Sequence, residues 1–196
     1  MSEQLTKFQK FKKHLGTIRK HRRVVRKWCF KMGIPIRGLL HDLSKYTISE
    51  LSICKYYTGI MSPHDTARQK LGYSPSWFNH RNRNKHHWEY WVDSLERRNA
   101  VQMPYKYVIE MFCDFVGAGK VYTGDNWTPA SPLKYHLRHK SKRIYHPETL
   151  YLFELLLCKF RDLGEDNFIR WYKDDKDALE GVYNLCLTKE RFSYEI

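Results

Sequence analysis

LTKFQKFKKHLGTIRKHRRVVRKWCFKM, residues 5–32, decides the fold class. Phe8, Phe11, Leu15, Ile18, Val25 and Cys29 recur there at spacings of three, four or seven, the period of one buried stripe on an α-helix. Lys and Arg fill much of the rest, and Gly33 and Pro35 end the helix. Outward from it the same period returns. A second helix is predicted from about Ile36, carrying Leu39, Leu40, His41, Asp42 and Leu43. Residues 58–84 (TGIMSPHD, LGYSPSW, NHRNRN) are rich in Gly, Pro, Asn and Ser and read as mostly loop. Residues 85–98 read as helical again. Pro104 opens a strong helix to about residue 120, Pro being suited to a first turn. Residues 121–147 read as irregular, with one short helix near 132–139. Pro147 starts another helix that Gly164 stops, and two more follow near 165–172 and 174–188. No segment sustains a period of two, so the expected fold is an all-α, single-domain helical bundle over residues 1–196.

Composition narrows the function classes. Aromatics make up 15% of the 196 residues, with six Trp and fourteen Tyr, which argues for a packed core and against disorder. No run of about 18 apolar residues suggests a membrane span, and MSEQLTKFQKFKK lacks the apolar region of a signal peptide. A soluble cytoplasmic protein is the expectation. The five cysteines (29, 54, 113, 158 and 186) are scattered singly, without a CxxC pair, and read as small apolar residues in a reduced interior. Net charge is +14 and uneven: residues 4–41 hold twelve Lys or Arg and no acid, while residues 148–196 hold eleven of the 21 acids. A basic field attracts polyanions but does not identify them.

Polar groups then stand out against the apolar stripes. His21 lies three residues after Ile18 and four before Val25, with His14 seven residues earlier on the same face. His41 and Asp42 are adjacent, about 100° apart if both are helical. Asp114 shares a stripe with Tyr107, Met111 and Ala118. A carboxylate on an apolar face is expensive to bury unless paired or bound to metal. A lone His or Asp of this kind is ordinarily a satisfied core group, a cap or an ion pair. Three helices each contributing one from an apolar face point instead to a divalent-metal site. The segment NHRNRNKHHWEYW (79–91) adds His80, His86, His87 and Glu89, with Arg81, Arg83 and Lys85 as candidate phosphate ligands. Trp77, Tyr73, Trp88 and Tyr90 are candidates to stack on a base, or else anchors of the loop. Lys120, Tyr122 and Lys134 are placed on the opposite wall by their order along the chain.

The order His21…His41-Asp42…Asp114 resembles the HD superfamily of metal-dependent phosphohydrolases, and HDLSK (41–45) resembles its HDxxK form. The blocks TIRKHRRVV (17–25), GLLHDLSKY (38–46), GYSPSWFNHRNRNKHHWEYW (72–91) and CDFVGAGKVYTG (113–124) are similar to an uncharacterised family of bacterial and phage proteins, the DUF5662 type. The resemblance implies an HD-type helical bundle whose metal-site core spans about residues 14–125, completed by C-terminal helices over about 147–188. It implies His21, His41, Asp42 and Asp114 as ligands of one ion and Asp42 as a bridge to a second. His80 and one of His86 and His87 would hold that second ion, the other serving as a phosphate donor or general acid. Lys45 would face the phosphate.

The function expected on this basis is hydrolysis of a phosphate ester in a nucleotide, cyclic nucleotide or short oligonucleotide. The ion would be Mn²⁺, Mg²⁺, Fe²⁺ or Co²⁺, one or two per chain, activating a water held by Asp42. Three rivals are a di-iron oxygenase on the same ligands, a nucleic-acid-binding protein with at most a structural metal, and a protein that sequesters a nucleotide without turnover.

Overall fold

The computed structural model describes residues 5–59, 61–93 and 99–193, with side chains as far as residue 185. The chain forms an all-α bundle. In order, its helices are α1 (Lys7–Lys31), α2 (Pro35–Leu40), α3 (Ile48–Leu51), α4 (Pro63–Leu71), α5 (Pro75–Arg83), α6 (Tyr105–Thr123), α7 (Ser131–His139) and α8 (Pro147–Ser193). Short 3₁₀ turns join several of them. A two-residue antiparallel pair, Val92–Asp93 with Asn99–Ala100, is the one piece of sheet among the described residues. No described helix is long and apolar enough to cross a membrane.

The centre of the bundle is the packing of α1 along α6, with α2 on α1, α8 on α6, and α7 between α6 and α8. Two glycines set how close these helices come. A Cβ on Gly117 would meet Val25 Cγ2 at 2.4 Å, and one on Gly38 would meet Cys29 Cβ at 2.6 Å. Val25 lies one turn beyond His21 and Gly117 one turn beyond Asp114, so the close approach of α1 and α6 also brings those two polar residues together. Gly38 does the same for the end of α2, where His41 follows.

Several sequence expectations change at this level. Phe8 and Phe11 are exposed (72% and 37%), whereas His14, Ile18, His21, Val25, Trp28 and Cys29 are buried. Periodicity marks a face, but a tertiary partner decides how much of it is covered. The second helix ends at Leu40: His41 caps it and Asp42 turns left-handed (φ 53°, ψ 28°), before a 3₁₀ turn over Leu43–Tyr46. Residues 58–84 contain two helices rather than mostly loop. Pro63 and Pro75 occupy first-turn positions, where the missing N–H is not needed, and Gly72 is a left-handed C-cap. The punctuation read as loop is helix capping. Residues 85–93 form a turn, a 3₁₀ turn (Trp88–Trp91) and the first strand instead of a helix, and 94–98 lie outside the described residues. Gly164 (φ 70°, ψ 178°) kinks α8 as a break was expected to, but the chain beyond it is one continuous helix rather than two.

Candidate metal centre

His21 on α1, His41 and Asp42 after α2, and Asp114 on α6 meet in one cluster. His21 Nε2 lies 3.0 Å from Asp114 Oδ1 and 3.6 Å from Asp42 Oδ2. His41 Nε2 lies 3.3 Å from Asp42 Oδ2, 3.6 Å from Asp114 Oδ1 and 3.4 Å from His21 Nε2. Donors bonded at about 2.1 Å to a single ion stand about 3.0–3.4 Å apart in octahedral or tetrahedral geometry, so this spacing suits a common cation. Asp42 is what allows two adjacent residues to share the site. Its left-handed backbone is the one such conformation among described non-glycine residues, and it costs roughly 1–2 kcal/mol outside Gly and the occasional Asn or Asp.

A second group shares Asp42. Its Oδ1 lies 3.4 Å from His80 Nε2 and 3.5 Å from His86 Nε2, and His87 Nε2 lies 2.8 Å from His80 Nε2. His86 and His87 precede the 3₁₀ turn and are not on a helix, so their rings, tilted 41° with centroids 4.3 Å apart, both join the cluster. The expectation that at most one of them would do so is corrected, because it rested on helical geometry. His41, His86 and Glu110 form a third overlapping group.

Two glutamates orient the histidines. Glu110 Oε1 accepts from His41 Nδ1 at 3.0 Å and lies 3.1 Å from His86 Nδ1, while Arg37 Nε donates to Oε2 at 2.7 Å. Glu50 Oε2 accepts from His80 Nδ1 at 2.7 Å. A carboxylate accepts only, so Nδ1 of His41 and of His80 carries the proton and a neutral ring turns its Nε2 lone pair inward, as metal-binding histidines do. Neither glutamate was singled out in the sequence. Glu110 had the signal that exposed Asp114, a carboxylate in an apolar helix and one turn before it. Glu50 looks like part of a capping box with Thr47 (TISE), yet Thr47 makes no side-chain cap.

The charges favour a cation. Four carboxylates, Asp42, Glu50, Glu110 and Asp114, gather here with Lys45 and Arg37 as their paired cations, inside a protein of net +14. Asp42 is 1% exposed; Lys45 Nζ pairs with its Oδ2 at 2.5 Å, and its Oδ1 has no hydrogen-bond partner. Burial pushes the Asp42 carboxyl up, but His41, Lys45 and His80 outweigh it and hold it well below its usual range. Asp114 is likewise held down by His21 and His41 against its burial. Burial pushes the His41 imidazole down, but Asp42, Asp114 and Glu110 leave it well above the usual value, so without an ion the ring holds a second proton on Nε2 that a bound cation would have to displace. Against the upward push of burial, His41 and His86 bring Glu110 to about 2. Burial lowers His80 and His87, keeping those rings neutral and able to ligate.

Most of the other sequence candidates do not join the cluster, although Tyr122 lies close enough to feel the charges of Lys45, Asp114 and Asp42. Lys120 is sandwiched between Trp28 and Trp127, 5.5 and 4.3 Å from the ring centroids, and pairs with Glu165. Arg83 donates to Thr47 and Ser49 at the start of α3. Arg81 lies over Phe78 and Lys85 over Tyr90. Trp77 packs against His64, His80 and His87, and Trp91 donates to Lys85 O, so these two rings buttress the site. Lys134 is exposed. Lys45 is the lysine at the cluster. His14 is buried nearby with an unpartnered Nδ1; burial first, then Lys45, lowers it to about 4.

Fold and cluster together define an all-α protein with a buried, carboxylate-oriented histidine cluster whose groups could hold a metal ion. The profile described as "Family of unknown function (DUF5662)" matches residues 10–158, and the chain belongs to that family. No curated protein and no solved structure matches it.

Proposed function

We propose that the chain is a metal-dependent phosphohydrolase or phosphodiesterase of the HD type, acting on a nucleotide, cyclic nucleotide or short oligonucleotide. The observation that carries the reading is the position of Asp42. Its Oδ2 faces His21 and His41, and its Oδ1 faces His80 and His86. One carboxylate between two imidazole groups is suited to bridging a pair of Mn²⁺, Mg²⁺, Fe²⁺ or Co²⁺ ions. Such ions supply Lewis acidity and acidify water.

The chain's own residues do the rest. His21, His41, Asp42 and Asp114 would hold one ion, and Asp42, His80, His86 and His87 the other. Glu110 and Glu50 fix ring orientation. Lys45, whose charge Asp42 stabilises against burial, would offset charge on phosphoryl oxygens. The histidine-rich donor set also suits iron, which favours a di-iron oxygenase as the second reading.

The test is elemental analysis of purified wild type beside Asp42→Ala, with both assayed on phosphomonoesters, phosphodiesters and cyclic nucleotides. Stoichiometric metal and turnover in wild type, with metal lost and turnover at least about 10³-fold lower in the variant, is the expected result. Iron with oxygen consumption and no ester hydrolysis moves the assignment to the oxygenase. A wild type that takes up no Mn²⁺, Fe²⁺ or Co²⁺ overturns both.

A further inference from the structure

Away from the metal cluster, the exposed side of α1 carries a concavity of about 200 Å³ lined by Arg19, Arg22, Arg23, Arg26, Gly38 and Tyr46. We propose that this groove binds the phosphate backbone of a polynucleotide without reading its sequence. The proposal stands whether or not the metal centre turns over a substrate.

The four arginines stand at i, i+3, i+4 and i+7, one stripe about 10 Å long. That is about three nucleotide steps at 3.4 Å per strand. Arg19, Arg23 and Arg26 are exposed and have no carboxylate partner among the described residues. By contrast Arg37, Arg68 and Arg161 each pair with an acid. Unpaired guanidinium groups repel one another, so clustering them in a concavity is unfavourable unless an anion completes it. Guanidinium forks match phosphate oxygens bidentately.

The groove is also built rather than accidental. Arg22 is held in place: its Nε donates to His41 O at 2.7 Å, its Nη2 donates to Leu39 O at 3.1 Å, and it lies over Tyr46 at 5.1 Å. It therefore forms a rigid floor and leaves the other three free to contact a ligand. Gly38 lets α2 close against α1 beneath the groove, since a side chain there would collide with Cys29 and with the Arg26 backbone. Shape chooses the occupant. A concave surface admits a ridge such as a polynucleotide backbone, whereas a lipid plane would touch only its rim. Arg22 ties the groove to the backbone of His41, so a strand lying in it runs beside the metal cluster.

The experiment is fluorescence anisotropy of a labelled 20-nucleotide single-stranded RNA and a 20-base-pair DNA duplex, titrated with full-length protein at several salt concentrations. The comparison is wild type, an Arg19→Glu/Arg23→Glu/Arg26→Glu variant, and a charge-matched Lys70→Glu/Lys106→Glu/Lys134→Glu control. All six positions are exposed, and circular dichroism confirms that each variant is folded. Wild type is expected to bind with a log K against log salt slope of about −2 to −3, as three phosphate contacts give. The groove variant should bind roughly 30-fold more weakly at about 0.1 M salt, and the control less than about 3-fold. Single Arg23→Ala should reduce the slope by about 0.7–0.9. Equal weakening by groove and control variants, no binding by wild type, or groove-dependent binding to anionic vesicles but not to either nucleic acid would each overturn the proposal.

Discussion

The two ends of the α1–α6 pair are built from the same helices and solve opposite problems. Toward the C-terminus of α1 and the middle of α6, Val25, Trp28, Cys29, Phe112 and Val116 meet Phe153, Leu156, Leu157, Phe160 and Phe168 of α8 in an apolar core. Phe112 packs edge-on to Phe160 at 5.5 Å and Trp28 edge-on to Phe160 at 5.3 Å. One to two turns back along α1, His21 meets Asp42, Asp114 and His41, the last held by Glu110. The apolar end asks only that volume be filled, so many residues there could be exchanged for others of similar size. The polar end asks that every buried donor and acceptor find a partner, and a missing one costs about 1–3 kcal/mol. The first end supplies stability, and that stability holds the second in an arrangement that would be unfavourable alone.

Four substitutions break or sharpen this contrast. Phe160→Ala should cost the most, about 3–5 kcal/mol, by opening a cavity that three helices line. Chemical denaturation would measure it. Metal bound per folded molecule should not change, and a parallel loss of metal would mean that the two ends are not separable.

Glu110→Gln should act the other way. The fold keeps its volume, but His41 and His86 lose the carboxylate that orients them, and metal affinity should fall ten- to a hundredfold. Isothermal titration with Mn²⁺ would read it. An unchanged affinity would mean that Glu110 only neutralises Arg37.

His14 tests the polar end through pH. Its folded value of about 4 lies below the 6.5 of an unfolded histidine. The unfolded chain therefore binds more protons between those values, and stability is present above about pH 6.5 and is lost as pH falls. At pH 5 the loss should be about 2 kcal/mol relative to neutral pH. His14→Gln in metal-free protein should remove that part of the slope. A slope unaltered by the substitution would show that His14 titrates as it does when unfolded.

Lys120→Ala should have the smallest effect. Lys120 sits between Trp28 and Trp127 and pairs with Glu165, which assigns it to the apolar end. A loss of about 1 kcal/mol or less is expected, with metal content and any turnover unaltered. A raised KM with unchanged stability would return it to the substrate-binding role expected from the sequence.

The all-α class, α1 and α6, and the break at Gly164 were legible in the chain, because a 3.6-residue period and Gly or Pro at helix ends are local properties. So was the suspicion that attaches to His21, His41, Asp42 and Asp114, since each interrupts an apolar face or forms an adjacent pair. Tertiary structure alone decided three things. It turned Asp42 left-handed so that neighbouring residues face one site, which no periodicity encodes. It drew His80 from α5 and His86 from the turn that follows into reach of Asp42, with His87 against His80. And it chose which carboxylates and cations serve the cluster, taking in Glu50 and Glu110 while leaving Lys120 and Arg83 outside. Local sequence sets which face of an element is apolar. Which long side chains meet depends on how closely the helices pack, and here Gly38 and Gly117 set that distance from positions remote in sequence from the groups they bring together.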